Sequence, residues 1–445
     1  MPYFTATIES LDQEGRGIAR CDGKTVFVEG ALAGETVVAR TIKRKPSWNL
    51  AQAETVLQAS ADRVRPNCPH FGVCGGCSMQ HAGMSLQVAA KQRVLEDALS
   101  HIGNVRAEQI LAPVYGVAWG YRFRARLSVR HVVKKGGVLI GFHEKRSSYV
   151  ADMRECPVLP PPISDLLPRL RTLVERLSIR DRLPQIEVAV GEQRVDGKSQ
   201  PVHTLILRIL GSPDQSDQQI LREFSDSHQI SFWLQTGGID TAQPFYPADS
   251  ELFYTLPEFN ITIPFVPTDF TQVNHNINRV LVRKAVTMLA PTKKDRIADL
   301  FCGLGNFTLP IARSGAQVIG IEGNASLVAR ARQAARHNAL GKRCIFQNAN
   351  LFKDVERTIA PMLPLDKILI DPPREGAIEV VKALPQANDR FALKRIVYVS
   401  CNPATLARDT AVLVHNRGYR LKSAGIVNMF PHTVHVESMA IFEPY

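Results

Sequence analysis

The sequence predicts a multi-domain α/β protein with three parts. These are a small OB-like β-barrel over residues 1–62, a central α/β domain over 63–265, and a Rossmann-like, doubly wound domain over 266–445. Three observations lead there. The first sixty residues carry short strand-like runs punctuated by Gly15, Gly17, Gly23, Gly30 and Gly34, the rhythm of a small barrel. The last third alternates short apolar strands with helix-period segments, with a glycine turn after the first strand. A chain of 445 residues is also too long for one hydrophobic core.

Composition narrows the function classes. Hydrophobic residues make up 45% and no apolar run reaches the length of a membrane span, so no membrane partner is expected. The N-terminus MPYFTATIES lacks the basic and apolar regions of a signal peptide, which leads to a cytoplasmic expectation. A formal charge of +12 points towards a polyanionic partner. Eight cysteines in such a chain argue for metal binding or catalysis rather than disulfides.

In the barrel, Phe4–Ile8, Thr25–Val28 and Glu35–Ala39 read as strands. GRGIAR at 15–20 and VFVEGALAGETV at 26–37 resemble a TRAM domain, an RNA-binding barrel. Arg40, Lys43, Arg44 and Lys45 beside Trp48 suit phosphate contact and base stacking. Charges over residues 1–66 nearly cancel, nine basic against eight acidic, so RNA binding there is expected to be local and auxiliary.

The densest signal follows: Cys68, Cys74 and Cys77 on a glycine-rich loop. Three thiols within ten residues form most of a metal site, and Cys156, followed by Pro157, is the best fourth ligand. A tetrahedral zinc site suits four thiolates too. A triplet plus one distant Cys-Pro, rather than two paired knuckles, favours a closed, structural [4Fe–4S] cluster.

Residues 85–100 read as an amphipathic helix, with Val88, Ala89, Leu95 and Leu99 opposite Lys91, Gln92, Arg93, Glu96 and Asp97. The strand at 121–130 alternates so that Arg122, Arg124, Arg126 and Arg130 share a face. With Lys134, Lys135, Lys145 and Arg146 there are eight basic groups against Glu144 alone over 119–149, which we read as an RNA-phosphate surface. Residues 157–265 read as scaffold.

The C-terminal part opens with Asp269 to Asn274 and a helix to Leu289. Strand 296–300, the turn Gly303-Leu304-Gly305 and a helix follow, then strand 317–322 ending in Glu322. The turn is shorter than a dinucleotide fingerprint and fits S-adenosylmethionine better, there being no pyrophosphate to cradle. Later strands end at Asn348 and Asn350, at Asp371-Pro372-Pro373-Arg374, and at Ser400-Cys401-Asn402-Pro403. Ligands in such sheets bind at the carboxyl ends of the strands, so Cys401 is read as a nucleophile rather than a buried structural thiol. The tail 429–437 adds His432, His435 and Glu437.

DLFCGLGNF, DPPREG, VSCNPATLARD and FPHTVHVE resemble the RNA uracil-5-methyltransferase family over nearly the whole chain. With a TRAM-like barrel and a cysteine triplet, the chain is most similar to the bacterial 23S rRNA branch; the tRNA branch is similar only in its catalytic half. The resemblance implies a class I S-adenosylmethionine-dependent methyltransferase acting on 23S rRNA, a monomer. Cys401 would be its nucleophile and Glu437 its proton acceptor. Gln272, Phe301 (through its backbone), Asn306, Glu322, Asn350 and Asp371 would line the cofactor site, and Cys68, Cys74, Cys77 and Cys156 would hold the [4Fe–4S] cluster. The chemistry agrees. Uracil C5 is too weak a nucleophile until a thiolate adds at C6, and a base must then remove the C5 proton. A thiol pKa partly depressed by positive charge or a helix terminus is expected. The alternatives are an enzyme acting on tRNA or another uridine, and a non-catalytic RNA-binding iron–sulfur sensor.

Overall fold

A computed structural model describes residues 3–249 and 251–445. The N-terminal sheet comprises β1 (Tyr3–Thr7), β2 (Ser10–Leu11), β3 (Gly17–Cys21), β4 (Lys24–Glu29), β5 (Thr36–Arg44) and β6 (Trp48–Gln58), in the order β1-β5-β6-β4-β3-β2. Alternating inward residues such as Ala19, Val26, Val28, Val37 and Ala39 fill it. Glu35 is fully buried there and pairs with Arg63 at 2.5 Å, which ties the barrel to the chain that leaves it. The basic cluster stands on the β5–β6 hairpin, with Lys43, Arg44 and Lys45 exposed at its tip. Arg40 pairs with Glu54 at 2.8 Å, and Trp48 packs edge-on against Phe27 at 5.8 Å instead of standing free for a base.

Next come α1 (Met84–His101), β7 (Gln109–Ile110), β8 (Arg124–Val132), β9 (Gly137–Gly141), α2 (Pro161–Arg176), β10 (Gln185–Val195), β11 (Lys198–Arg208), α3 (Gln215–His228), β12 (Ile230–Gln235), β13 (Ala242–Tyr246), β14 (Leu252–Leu256) and β15 (Ile261–Phe265). The central sheet runs β13-β12-β11-β10-β14-β15, with β8 paired to β10 and β9. Its helix-covered face packs Leu127, Val188, Leu205 and Phe232 against Ile163, Leu167 and Leu170 of α2.

Residues 63–265 were expected to form one central domain, but α1 and β7 join the C-terminal sheet instead. β7 pairs with β21, and Leu95 and Leu99 of α1 belong to the same buried cluster as Leu406 and Ala407. There the apolar stripe of α1 packs into the same core as Leu421, Ala424 and Ile426 of β21.

The C-terminal elements are α4 (His275–Leu289), β16 (Arg296–Leu300), α5 (Thr308–Arg313), β17 (Gln317–Glu322), α6 (Ala325–His337), β18 (Cys344–Asn348), α7 (Val355–Ile359), β19 (Lys367–Ile370), α8 (Ile378–Ala383), β20 (Arg395–Ser400), α9 (Pro403–Ala411), β21 (Tyr419–Val427) and β22 (Glu437–Pro444). Strand order is β18-β17-β16-β19-β20-β22-β21-β7, and β22 runs antiparallel to both its neighbours. The inner strands are largely apolar and almost wholly buried, as strands covered on both faces must be. Among the described residues no helix is long and apolar enough to cross a membrane.

Candidate active site and cysteine cavity

From β16 the chain continues to β17 on one side and, later, to β19 on the other, so the crevice at their carboxyl ends is a topological switch point. Phe301, the first residue past β16, has φ +65°, and Gly303 and Gly305 follow at +54° and +90°. A left-handed phenylalanine costs about 1–2 kcal/mol. The bend it makes turns the backbone abruptly off the strand. Glu322, past Gly320 on β17, accepts from Gly303 N–H at 3.1 Å and from Asn324 N–H at 2.9 Å. Asn306 and Asn278 exchange amide hydrogen bonds at 2.9 and 3.0 Å, and Tyr254 O–H donates to Asn306 Oδ1 at 3.1 Å. Asn350 is exposed, with Oδ1 accepting from Phe352 N–H, and Gln272 lies half-buried just before α4.

Asp371 follows β19 and is half-buried. Burial first, then the Asp299 carboxyl, pushes its pKa up to about 8. Cys401 follows β20, on the turn into α9, whose Asn402 cap accepts from Ala404 N–H at 3.0 Å. Ser400 pairs with Ser438 across β20 and β22, so the next position outward sets Cys401 beside Glu437. Glu437 is buried, at 3% exposure, and burial and then Asp371 raise its pKa well above the carboxylate range. The expected depression of the Cys401 thiol is not found. Burial, then Glu437 and Asp371, push it up to about 11, and Arg374 opposes this only in part. The protein alone therefore holds a neutral thiol between carboxyl groups.

Three neighbours of the site were not singled out in the sequence. Asn278 follows Asn274 by one helical turn, and Tyr254 sits in a strand-like run. Asp299 is fully buried, with Oδ2 accepting from Thr308 O–H at 2.5 Å and Oδ1 unpartnered. An acid inside the apolar run IADLF was the readable signal.

The four cysteines of the metal reading line one cavity, together with Phe71, Phe142, Met153 and Arg122. Burial pushes Cys77 up to about 11 and Cys156 up to about 12, and raises Cys68 and Cys74 as well. Among the described residues no three His, Cys, Asp or Glu side chains are gathered closely enough to hold a single metal ion.

The arginine face divides. Arg122 turns to this cavity, 5.3 Å above the Phe142 ring. Arg124 is largely covered, with Nη1 unpartnered, and Arg126 pairs with Glu187 on β10 at 2.9 Å. Acidic neighbours thus offset part of the charge that was read as a phosphate surface, leaving Arg126 and Arg130 exposed.

Comparison with known proteins agrees with this architecture. The family model for tRNA (Uracil-5-)-methyltransferase matches residues 256–444, and that for the TRAM domain matches residues 3–54. The 23S rRNA (uracil(1939)-C(5))-methyltransferase RlmD of Nitrosospira multiformis is 60% identical over 98% of this chain and 97% of its own. That of Aromatoleum aromaticum is 58% identical over 98% and 99%. The crystal structure of Pyrococcus abyssi tRNA (uracil-54, C5)-methyltransferase with S-adenosyl-L-homocysteine superposes with a TM-score of 0.72 at 23% identity, over 99% of this chain and all of that one, and so shares the fold. Identity at this level over almost the full length of both chains means that the protein belongs to the RlmD family of RNA uracil-5-methyltransferases.

Proposed function

We propose that this protein methylates C5 of a uridine in 23S rRNA, the uridine specified in its relatives' names, through a covalent bond between Cys401 and C6. The observation that carries this is the strand register that sets Cys401 beside the buried Glu437 at the mouth of the sheet. Addition of the Cys401 sulfur to C6 makes C5 nucleophilic. Once C5 has taken the methyl, Glu437 accepts the C5 proton and the sulfur leaves C6. A non-catalytic sensor has no use for such a pair.

Bound S-adenosylmethionine supplies an electrophilic methyl on a cationic sulfur. The crevice suits a cation: Asp371 and Glu437 are carboxyl groups held neutral by burial, and a nearby positive charge would favour their ionised forms. The same charge would lower the Cys401 pKa, so that the thiol ionises with the donor in place. Gln272, Phe301 through its backbone, Asn306, Glu322, Asn350 and Asp371 would line that site. Asn306 has its oxygen already engaged and keeps one amide hydrogen to offer.

Cys68, Cys74, Cys77 and Cys156 would hold a [4Fe–4S] cluster. Four thiols around a common cavity fit a group in which each thiolate binds its own iron. A single zinc ion would draw all four sulfurs to about 2.3 Å from one centre. Brown protein with about four irons per chain supports the cluster; one zinc and no visible absorbance overturns it. The cluster's part is structural. RNA phosphates would meet Arg126, Arg130 and the Lys43–Lys45 tip. The function is tested by transfer of labelled methyl to unmethylated 23S rRNA. Wild type transfers it, Cys401→Ala does not, and preference for tRNA would redirect the substrate assignment.

A further inference from the structure

Helix α1 does not present all of its polar residues to water as its sequence pattern predicts: Arg93, Glu96 and Asp97 are exposed, but two others are not. Gln87 is fully buried and Lys91 is 2% exposed, while Ala89, assigned to the apolar stripe, is exposed. The buried pair ends on one segment, the connection 428–436 that links β21 to β22. Lys91 Nζ donates to Asn428 Oδ1 at 2.7 Å and to the Phe430 carbonyl at 2.8 Å. Gln87 Oε1 accepts from His432 N–H at 2.8 Å, while its Nε2 donates to the carbonyls of Ala82 and Met79 at 2.8 and 3.1 Å.

Two further elements grip the same segment. Tyr121 O–H donates to the Pro431 carbonyl at 2.9 Å. The backbone N–H groups of Ser78 and Met79, directly after Cys77, both donate to the His432 carbonyl, at 2.9 and 3.0 Å. His432 itself has φ +66°, and its ring stacks on Trp119 with centroids 4.0 Å apart. A histidine persists in that conformation only where its surroundings over-determine it. Every one of these groups comes from residues 78–121, outside the strands the connection joins.

Glu437 begins β22 at the end of this connection, paired with Val427 at the other end. Cys401 is fixed differently. Its turn is held by Ser400, Asn402 and the Arg374 carbonyl, and none of those bonds involves the grip on 428–433. We propose that Gln87, Lys91 and Tyr121 are positioning residues that act through the 428–436 connection to aim the Glu437 carboxyl at the C5 proton. They govern release of the methylated base and not formation of the sulfur–carbon bond. This rests on the reading of Glu437 as the base. It also joins the cysteine loop to the catalytic sheet by the two hydrogen bonds that follow Cys77.

The experiment is a single turnover of the full-length enzyme with S-adenosylmethionine and an rRNA fragment carrying tritium at C5. Methylated RNA bound to protein after denaturation reports adduct formation, and tritium in water reports proton removal. Lys91→Met and Gln87→Leu should form the methylated adduct within about threefold of the wild-type rate and release tritium tenfold or more slowly. Tyr121→Phe, which loses one hydroxyl and keeps the ring, should show the same split to a smaller degree and guards against a misfolded variant. Parallel loss of both signals, or no change in either, overturns the proposal. Glu437→Gln is the reference. If it accumulates adduct and the three variants do not, the brace is wrong. If Glu437→Gln itself accumulates none, the base reading fails and takes the brace with it.

Discussion

Cysteine thiols stand in two settings here, and burial raises both. Cys401 reaches about 11 at the sheet edge, Cys77 about 11 and Cys156 about 12 around the cavity. The charges around them differ in sign. Glu437 and Asp371 push Cys401 further up, with Arg374 the one opposing charge. Around the quartet, hydrogen bonds from Gly76 N–H and Gln80 oppose the rise, Arg122 adds to this at Cys74 and Cys77 and Lys145 at Cys74, while one acid, Glu155, raises Cys68. A ring of carboxyl groups invites a cation and a moving proton. Two cations beside the quartet would offset part of the net negative charge that four thiolates carry once a metal group is bound. On the reading proposed above, the same residue type would serve transfer chemistry in one place and metal binding in the other.

Breaking the cavity should give the largest effect. Cys77→Ser or Cys156→Ser should lose the metal and cost several kcal/mol of stability, since binding energy at such a site is folding energy. Metal analysis and thermal melts check this, and full retention of metal by both variants would remove these residues from the ligand set. Sharpening the other side, the apparent pKa of Cys401 alkylation should fall by one unit or more when a cofactor analogue with an ammonium group replaces the sulfonium, about 1.4 kcal/mol per unit. Neutral S-adenosylhomocysteine should not move it.

Asp371→Asn gives a smaller and pH-dependent change. The folded pKa of about 8 lies above the ordinary 3.8, so the folded protein favours the protonated form. The cost of ionising it is absent below the unfolded value and accumulates as pH rises to about 8. Asn should therefore stabilise the free protein by about 1–2 kcal/mol at pH 8, after allowance for the residue's partial exposure, and by almost nothing at pH 3. It should also weaken binding of the cationic cofactor. Equal melting temperatures at both pH values would contradict the shift. Least affected is RNA binding by Arg126→Glu. One lost phosphate contact lowers the log–log salt slope by about 0.7–0.9, and an unchanged slope would mean that Glu187 already satisfies Arg126.

Much of this was legible in the sequence, and the exceptions share a cause. Strand β20 and Cys401 were readable because an apolar run ending in Ser-Cys-Asn-Pro has few other meanings. Asn274 stands just before the helix expected to Leu289, and its side chain caps α4 by accepting from Ile277 N–H. Lys91 on the polar side of α1 was misread because periodicity identifies a face and not what covers it: it points into protein that arrives 337 residues later. The Cys401 thiol was expected to be depressed by positive charge or a helix terminus. Burial and the Glu437 carboxyl, which arrive only with the folded sheet, outweigh Arg374. Arg126 looked unpaired for the same reason, since Glu187 meets it only across the sheet.

The central claim is that Cys401 and Glu437 divide one reaction into bond formation and release. Glu437→Gln incubated with S-adenosylmethionine and unmethylated rRNA tests it most directly. The account predicts one methyl transferred per enzyme and a denaturation-stable protein–RNA species, with mass spectrometry placing the methylated uridine on Cys401. Normal turnover with free 5-methyluridine and no trapped species would contradict it, and would move the base to another group.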